Sequence, residues 1–224
     1  MITRAELASM IDHSVLRPES TEEDVKKACG LAVELGLAAV VVNPAHIPVV
    51  AASLKGSAAK ACSVISFPFG VSTTEGKVAE AKSVLSQGAE EIDMVMNFSA
   101  LRSGKESYVL NDIRSVTDLA KGQAKKVVVK VILETCYLNE KEKKQACLLA
   151  VEGGADFVKT STGFGSGGAT IEDVRLMKQA VGPKIGVKAA GGIRTTQEAV
   201  RMVEAGASRI GTSSSLAILK EMPT

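Results

Sequence analysis

Eight apolar, strand-like runs recur along the chain, and helical patterns fill the gaps between them. The runs are Ile11–Leu16, Ala38–Asn43, Ala61–Phe67, Glu91–Met96, Lys126–Glu134, Ala155–Thr160, Ile185–Ala190 and Ser208–Thr212. They begin roughly 25–35 residues apart, the length of one βα unit. Several are continuously apolar rather than alternating, as a parallel strand covered on both faces requires. Ser20 or Thr21, ahead of Glu22, Glu23 and Asp24, opens a helix whose Val25, Ala28, Leu31, Ala32 and Leu35 recur at helical spacing up to Gly36. Further helices are expected from Pro44 to about Leu54, from Thr73 or Thr74 to near Gly88, and over Val109–Ala120. Others run from Asn139 to Val151 and from Thr170 to Gly182, then from Thr195 to Gly206, with a short one after Ser213–Ser215. Eight such repeats without a long linker predict an α/β chain folded as one (β/α)8 TIM barrel, a single domain over residues 1–224. A doubly wound open sheet would use fewer strands in this length, and no GxGxxG follows the first strand.

Composition fits that architecture and excludes several functions. Aromatic residues are only 3% of the chain, so the core must be built from Val, Ile, Leu, Ala and Met. The net charge of +2 comes from interspersed signs and gives no basis for a nucleic-acid or anionic-membrane partner. Cys29, Cys62, Cys136 and Cys147 show no paired spacing, and with only His13 and His46 beside them no zinc site is expected. The N-terminus lacks the apolar core of a signal peptide. No apolar run reaches the length of about 18 residues that a membrane span needs. The expectation is a soluble cytoplasmic protein with reduced thiols.

Against this apolar pattern, two lysines stand out. Lys159 lies inside the run Ala155–Thr160, and Lys188 inside Ile185–Ala190. A lysine in a buried strand is costly unless it is paired, neutral or chemically used. Strand alternation extends the set. Phe157 and Lys159 share a face, as do Gly186, Lys188 and Ala190; Lys126, Val128, Lys130, Ile132 and Glu134; and Glu91, Asp93 and Val95. Asp93, Lys130, Glu134, Lys159 and Lys188 can all point into the barrel, with Asp12 joining from the first strand. This set can be a salt-bridge network that merely fills the interior. The adjacency of two lysines favours chemistry instead. Two ammonium groups about 5 Å apart repel by roughly 3 kcal/mol at an effective dielectric of about 20. That lowers one amine's pKa by about 2, before any burial effect. A free amine attacks carbonyls to form an imine, without any cofactor. Alternation alone does not choose between Lys159 and Lys188.

Anion-binding features cluster at the ends of the last three strands. Gly163 and Gly165 follow the sixth, Gly191 and Gly192 the seventh, and Gly211-Thr-Ser-Ser-Ser215 the eighth. Glycines admit close approach of backbone N–H groups to an anion, and serine hydroxyls add donors. In barrels of this kind the loops after strands seven and eight commonly hold phosphate. His13 is adjacent to Asp12 but faces the other way, so a local hydrogen-bonding role is expected. His46 is placed in a surface loop or at a helix start, Cys62 and Cys147 in packing, and Cys136 near the site without a catalytic role.

The stretches Ile11-Asp-His-Ser-Val-Leu16, Val42-Asn-Pro44, Glu91-Ile-Asp-Met-Val-Met-Asn97, Val129-Lys-Val-Ile-Leu-Glu-Thr135, Phe157-Val-Lys-Thr-Ser-Thr-Gly163 and Val187-Lys-Ala-Ala-Gly-Gly-Ile-Arg194 resemble the deoxyribose-phosphate aldolases, strand by strand along the chain. The resemblance implies reversible cleavage of 2-deoxy-D-ribose 5-phosphate to D-glyceraldehyde 3-phosphate and acetaldehyde, in deoxyribose phosphate catabolism. It implies that Lys159 forms the Schiff base and that Lys188 holds that amine's pKa down. Asp93, with a water, would move protons, and Asp12 and Lys130 would support the network. Thr160, Gly163, Gly191, Gly192, Gly211, Ser213 and Ser214 would line the phosphate side. A homodimer or homotetramer is implied, acting on small phosphorylated sugars and aldehydes.

The sequence also departs from the family pattern. Val41 and Val42 stand where members often carry a cysteine, so trapping of a thiol by aldehydes should be weakened. Members often end in a flexible tail with a terminal tyrosine that helps proton transfer; here the last residues are Lys220-Glu-Met-Pro-Thr224, so either lower activity or proton relay by water is expected. Phe164 follows Gly163 where some relatives have lysine, shifting phosphate affinity toward backbone donors. A phosphosugar isomerase or epimerase would need a carboxylate pair, a His or a metal, and would leave the lysine pair unexplained. A non-catalytic phosphosugar-binding barrel is the remaining alternative.

Overall fold

The computed structural model describes residues 2–220 and 222. Eight parallel strands close into a barrel in sequence order: β1 Ile11–Val15, β2 Ala39–Val42, β3 Lys60–Ile65, β4 Glu91–Val95, β5 Val128–Ile132, β6 Phe157–Lys159, β7 Gly186–Ala190 and β8 Arg209–Thr212. Closure is made by β8 against β1, with Ile210 opposite Ile11 and Gly211 opposite Asp12. This is the (β/α)8 barrel that the repeat pattern predicts.

Ten helices pack outside: α1 Arg4–Ala8, α2 Glu22–Leu35, α3 Ile47–Ser53, α4 Thr74–Ser86, α5 Phe98–Arg102, α6 Glu106–Lys121, α7 Glu140–Glu152, α8 Ile171–Val181, α9 Thr196–Glu204 and α10 Ser215–Lys220, among the described residues. Local chemistry sets their starts. Thr21, Asn139 and Thr195 each accept from the N–H three residues on, while Asp24, Glu142 and Glu198 reach back to the cap N–H. Thr21, not Ser20, is therefore the cap of α2. Pro44 opens a 3-10 turn to His46 before α3, rather than one continuous helix. The sequence pattern did not reveal α1 and α5. Each has five residues, too few for a helical period to register. The strands are shorter than their apolar runs. Lys126 is exposed before β5 begins, and Glu134 has a left-handed backbone (φ 56°) that stops the run from continuing as strand.

Two apolar regions result. The larger lies between the strands and the helices, with Val40, Ile65, Ile92, Val131, Val158, Val187 and Ile210 facing outward into it. The smaller is inside the barrel, where Ala39, Val41, Cys62 and Val64 pack with Leu16 and Phe67. Strands β2 and β3 thus fill their part of the interior with apolar groups and leave the charged groups to the other six. No helix among the described residues is long and apolar enough to cross a membrane.

A fully buried ion pair lies outside the barrel among the described residues. Lys77 on α4 donates to Asp112 Oδ2 on α6 at 2.5 Å and to the Val95 carbonyl at the end of β4 at 2.9 Å. Thr74 adds a third contact, donating to Asp112 Oδ1 at 3.0 Å. Both charged side chains are fully buried. Lys77→Met is expected to destabilise the fold by about 3–5 kcal/mol in urea unfolding, because Asp112 is left as an unpaired buried charge. Adding Asp112→Leu should recover most of that loss; an undiminished loss in the double variant would show that the pair is not coupled.

Candidate active site

Strand alternation and register bring the charged residues together. Lys159 on β6 lies opposite Lys188 on β7, and Asp93 on β4 opposite Lys130 on β5. Asp93 is the centre of the cluster. Its Oδ2 accepts from Lys159 Nζ at 2.8 Å and Lys188 Nζ at 2.7 Å, and its Oδ1 accepts from Lys130 Nζ at 2.9 Å. Asp12 accepts from Lys188 at 2.5 Å through Oδ2 and from Arg209 at 2.8 Å through Oδ1. Glu91 accepts from Lys130 at 2.5 Å through Oε2 and from Arg209 at 3.2 Å through Oε1. Arg209 also lies over the Phe157 ring, 5.7 Å from its centroid. The Cys62 thiol donates to Asp93 Oδ1 at 3.4 Å, so this residue combines apolar packing with a polar contact.

Two expectations about this cluster need correction. Glu134 is not its third carboxylate; Glu91 is. The left-handed turn after β5 swings Glu134 away, and its carboxylate accepts from the Thr162 N–H at 3.1 Å and the Thr162 hydroxyl at 2.5 Å. Arg209 is a fourth cation that sequence reasoning missed. The last strand was read for its glycine and serines, whereas alternation applied to it would have put Arg209 on the same face as Gly211. Lys126 lies exposed, outside the cluster.

The network therefore sets Lys130, Lys159, Lys188 and Arg209 against Asp12, Glu91 and Asp93. Their electrostatics separate the lysines. Burial pushes the Lys159 amine below the ordinary lysine value; Asp93 opposes that and the Lys188 charge adds to it. Burial also disfavours the charge on Lys188, but Asp12 and Asp93 outweigh it and hold Lys188 above the ordinary value. Lys130 is raised further, its burial overcome by Asp93 and the groups around it. Asp93 is driven well below the carboxylate range because three lysines outweigh its burial. Geometry thus distinguishes Lys159 from Lys188, which alternation could not.

A cavity of about 570 Å³ opens above this cluster. Of the three lysines, Lys159 alone lines it. Gly163, Gly191, Gly192, Gly211, Ser213 and Ser214 line it as well, so the glycine and serine segments from three strand ends converge on one space. A Cβ at Gly168 would collide with the Gly191 carbonyl oxygen, so only glycine fits there, and Gly191 itself has φ 92°, a conformation that favours glycine. At Gly211 a Cβ would stand 3.0 Å from Lys188 Cε and 2.8 Å from Ala190 Cβ, so glycine there makes room for the lysine. The Ser214 N–H donates to Thr212 Oγ1 at 2.9 Å, which fixes the turn that brings Ser214 to the cavity wall. Thr160 is not among the lining residues. It is buried, and its hydroxyl donates to the Ala190 carbonyl and accepts from the Ala190 N–H, pinning β6 to β7. Arg17, Glu19, Phe164 and Arg194 complete the rim. The two arginines sit in loops whose sequence carries no periodic signal.

His13 Nδ1 is 2.7 Å from Ser215 Oγ, the local hydrogen bond expected of it. His46 ends the 3-10 turn before α3, and Cys136 is half-buried beside Gly165. The expectation about the tail falls partly on Glu221, Pro223 and Thr224, outside the described residues. No group of three or more His, Cys, Asp or Glu residues is placed to hold a metal ion among the described residues.

The family model for DeoC/LacD family aldolases matches residues 7–221. A deoxyribose-phosphate aldolase from Carboxydothermus hydrogenoformans is 52% identical over 98% of this chain and 96% of its own. One from Thermococcus kodakarensis is 53% identical over 99% of both. The solved structure of a tetrameric deoxyribose phosphate aldolase from Aeropyrum pernix superposes with a TM-score of 0.91 at 36% identity, covering 97% of this chain and 91% of that one. With a matching family model along nearly its whole length and relatives above half identity, the chain belongs to the DeoC/LacD family of aldolases.

Proposed function

We propose that this barrel acts as one catalytic unit, a class I aldolase that reversibly cleaves 2-deoxy-D-ribose 5-phosphate to D-glyceraldehyde 3-phosphate and acetaldehyde, with Lys159 as the Schiff-base residue. The observation that carries the assignment is that Lys159 alone of the three clustered lysines lines the cavity, and it alone is held below the ordinary lysine value. The names of the close relatives supply the substrate. An isomerase or a silent binding barrel leaves the lysine cluster unexplained.

In the proposed reaction the Lys159 lone pair attacks C1 of the open-chain sugar. The carbinolamine loses water to give an iminium ion. The C3 hydroxyl then gives up its proton, the C2–C3 bond breaks, and its electron pair moves into an enamine. D-Glyceraldehyde 3-phosphate leaves. Protonation at C2 and addition of water release acetaldehyde and the free amine. Asp93, 2.8 Å from the nitrogen, stabilises the iminium charge and, with a water, moves protons at the carbinolamine and imine steps. Lys188 keeps the neighbouring amine depressed, and Asp12 and Lys130 fix the cluster. Gly163, Gly191, Gly192, Gly211, Ser213 and Ser214 receive the phosphate, which places C1 at the amine. Thr160 supports this side by joining β6 to β7 beside Ala190. No cofactor takes part. We further propose a cytoplasmic homodimer or homotetramer, in line with the tetrameric relative.

Borohydride with acetaldehyde should fix a two-carbon adduct on Lys159, and Lys159→Ala should abolish turnover. Because the free amine is the reactive form, kcat/KM should fall as pH drops through the depressed Lys159 pKa. Lys188→Leu removes a charge that lowers this pKa, so the acid limb should move to higher pH with loss of most of the rate. An adduct elsewhere, or near-normal turnover in Lys159→Ala, would refute the assignment. Ser214→Asp, which adds a like charge to the phosphate side, should raise KM for the phosphorylated sugar at least tenfold. It should change cleavage of unphosphorylated 2-deoxyribose little; equal losses on both substrates would remove Ser214 from phosphate binding.

A further inference from the structure

We propose that Arg209 is a positioning residue of this reaction, whose permanent charge leaves the barrel interior one carboxylate short and so makes Lys159 the group that gives up its proton. The inference deepens the assignment of Lys159 as nucleophile and rests on it. Arginine does not deprotonate in proteins, so its charge cannot be relieved where it stands. Its two terminal nitrogens each take one carboxylate oxygen, Asp12 Oδ1 at 2.8 Å and Glu91 Oε1 at 3.2 Å. Each of these carboxylates then has one oxygen left, and each gives it to a lysine at 2.5 Å, Asp12 to Lys188 and Glu91 to Lys130. Lys188 and Lys130 also hold Asp93. Lys159 has one ion-pair partner among the described residues, Asp93.

The partners therefore rank the lysines. Four cations face three carboxylates, and the cation with fewest partners loses its proton at least cost. With Lys159 neutral, the remaining three cations and three carboxylates balance. The groups around Lys159 come from every side of the barrel. Asp12 stands on β1, Cys62 on β3, Glu91 and Asp93 on β4, Lys130 on β5, Lys188 on β7 and Arg209 on β8; β2 offers only Ala39 and Val41. Glu134, after β5, is bound by Thr162 and attracts Lys159 through space without forming an ion pair among the described residues; burial, opposed by these contacts, holds its carboxyl above the ordinary value, so it counterbalances the cations less than Asp12, Glu91 and Asp93 do. His13 turns outward to Ser215. Arg209 sits two strands from Lys159, about 10 Å at ordinary strand spacing. A unit charge at that range moves a buried amine by about one pH unit at an effective dielectric of about 20.

The test is the pH dependence of kcat/KM for cleavage in the wild type, Arg209→Met, Arg209→Lys and Glu91→Gln, with the borohydride adduct mapped in each. Removing the positive charge in Arg209→Met should move the acid limb upward by about one pH unit. Arg209→Lys, which keeps the charge, should leave the limb near the wild-type position. Glu91→Gln, which removes a negative charge, should move it down. The opposite signs separate charge balance from general damage, and the last two variants keep the test decisive if Arg209→Met fails to fold. Adducts on Lys159 with acid limbs that do not move, or that move the same way in Arg209→Met and Glu91→Gln, would overturn the role of Arg209 alone. Absence of the adduct from Lys159 in the wild type would instead overturn the assignment on which it rests.

Discussion

Asp93 holds three lysine side-chain nitrogens inside a barrel, and the rest of the site depends on that carboxylate. A buried charge without a partner costs several kcal/mol even after relaxation. Every residue near Asp93 can be understood through that constraint. The parallel register sets Lys130 directly opposite it and aligns Lys159 with Lys188. The apolar side chains of β2 and β3 occupy the rest of the interior, which keeps water scarce and the ion pairs strong. Asp12 and Glu91 then pair the cations that Asp93 cannot fully serve.

The same arrangement divides labour among the lysines. The Lys188 charge lowers its neighbour, but burial is the larger effect on Lys159, and the carboxylates around Lys188 and Lys130 decide which amines remain charged. Lys159 is thus both the least supported of the three and the one at the cavity floor. In the proposed reaction the iminium restores a positive charge beside Asp93, where the site already accommodates one. The glycine and serine segments at the ends of β6, β7 and β8 set the distance between this nitrogen and the phosphate end of the sugar.

Much of this was legible in the sequence, for identifiable reasons. The barrel follows from eight continuous apolar runs, and period-two alternation correctly put Asp12, Asp93, Lys130, Lys159 and Lys188 on one interior. The cavity-lining glycines and serines were legible because they follow strand ends. The failures have equally specific causes. Glu134 was assigned by alternation continued past the end of β5, where a left-handed residue breaks the strand. Arg209 begins a short strand whose single glycine and following serines point to the phosphate side, while its parity is easily passed over. Thr160 lies in a motif with reactive neighbours, yet its hydroxyl is taken by the next strand. Arg17 and Arg194 reach the cavity from loops, where no period indicates direction. Strand alternation left the choice between Lys159 and Lys188 open; the family resemblance made it, and the count of partners supplies its physical reason.

The central claim is that burial and the Lys188 charge hold the Lys159 amine below the ordinary lysine value, while their carboxylate partners hold Lys130 and Lys188 above it. It can be measured by following the side-chain carbon signals of isotopically labelled lysines through a pH titration, assigned by the signal lost in Lys159→Ala. The account predicts that the Lys159 signal titrates below the ordinary lysine value of about 10.4, while those of Lys130 and Lys188 do not titrate in that range. A Lys159 signal that remains charged to the ordinary lysine value, or a Lys188 signal that titrates first, would contradict it.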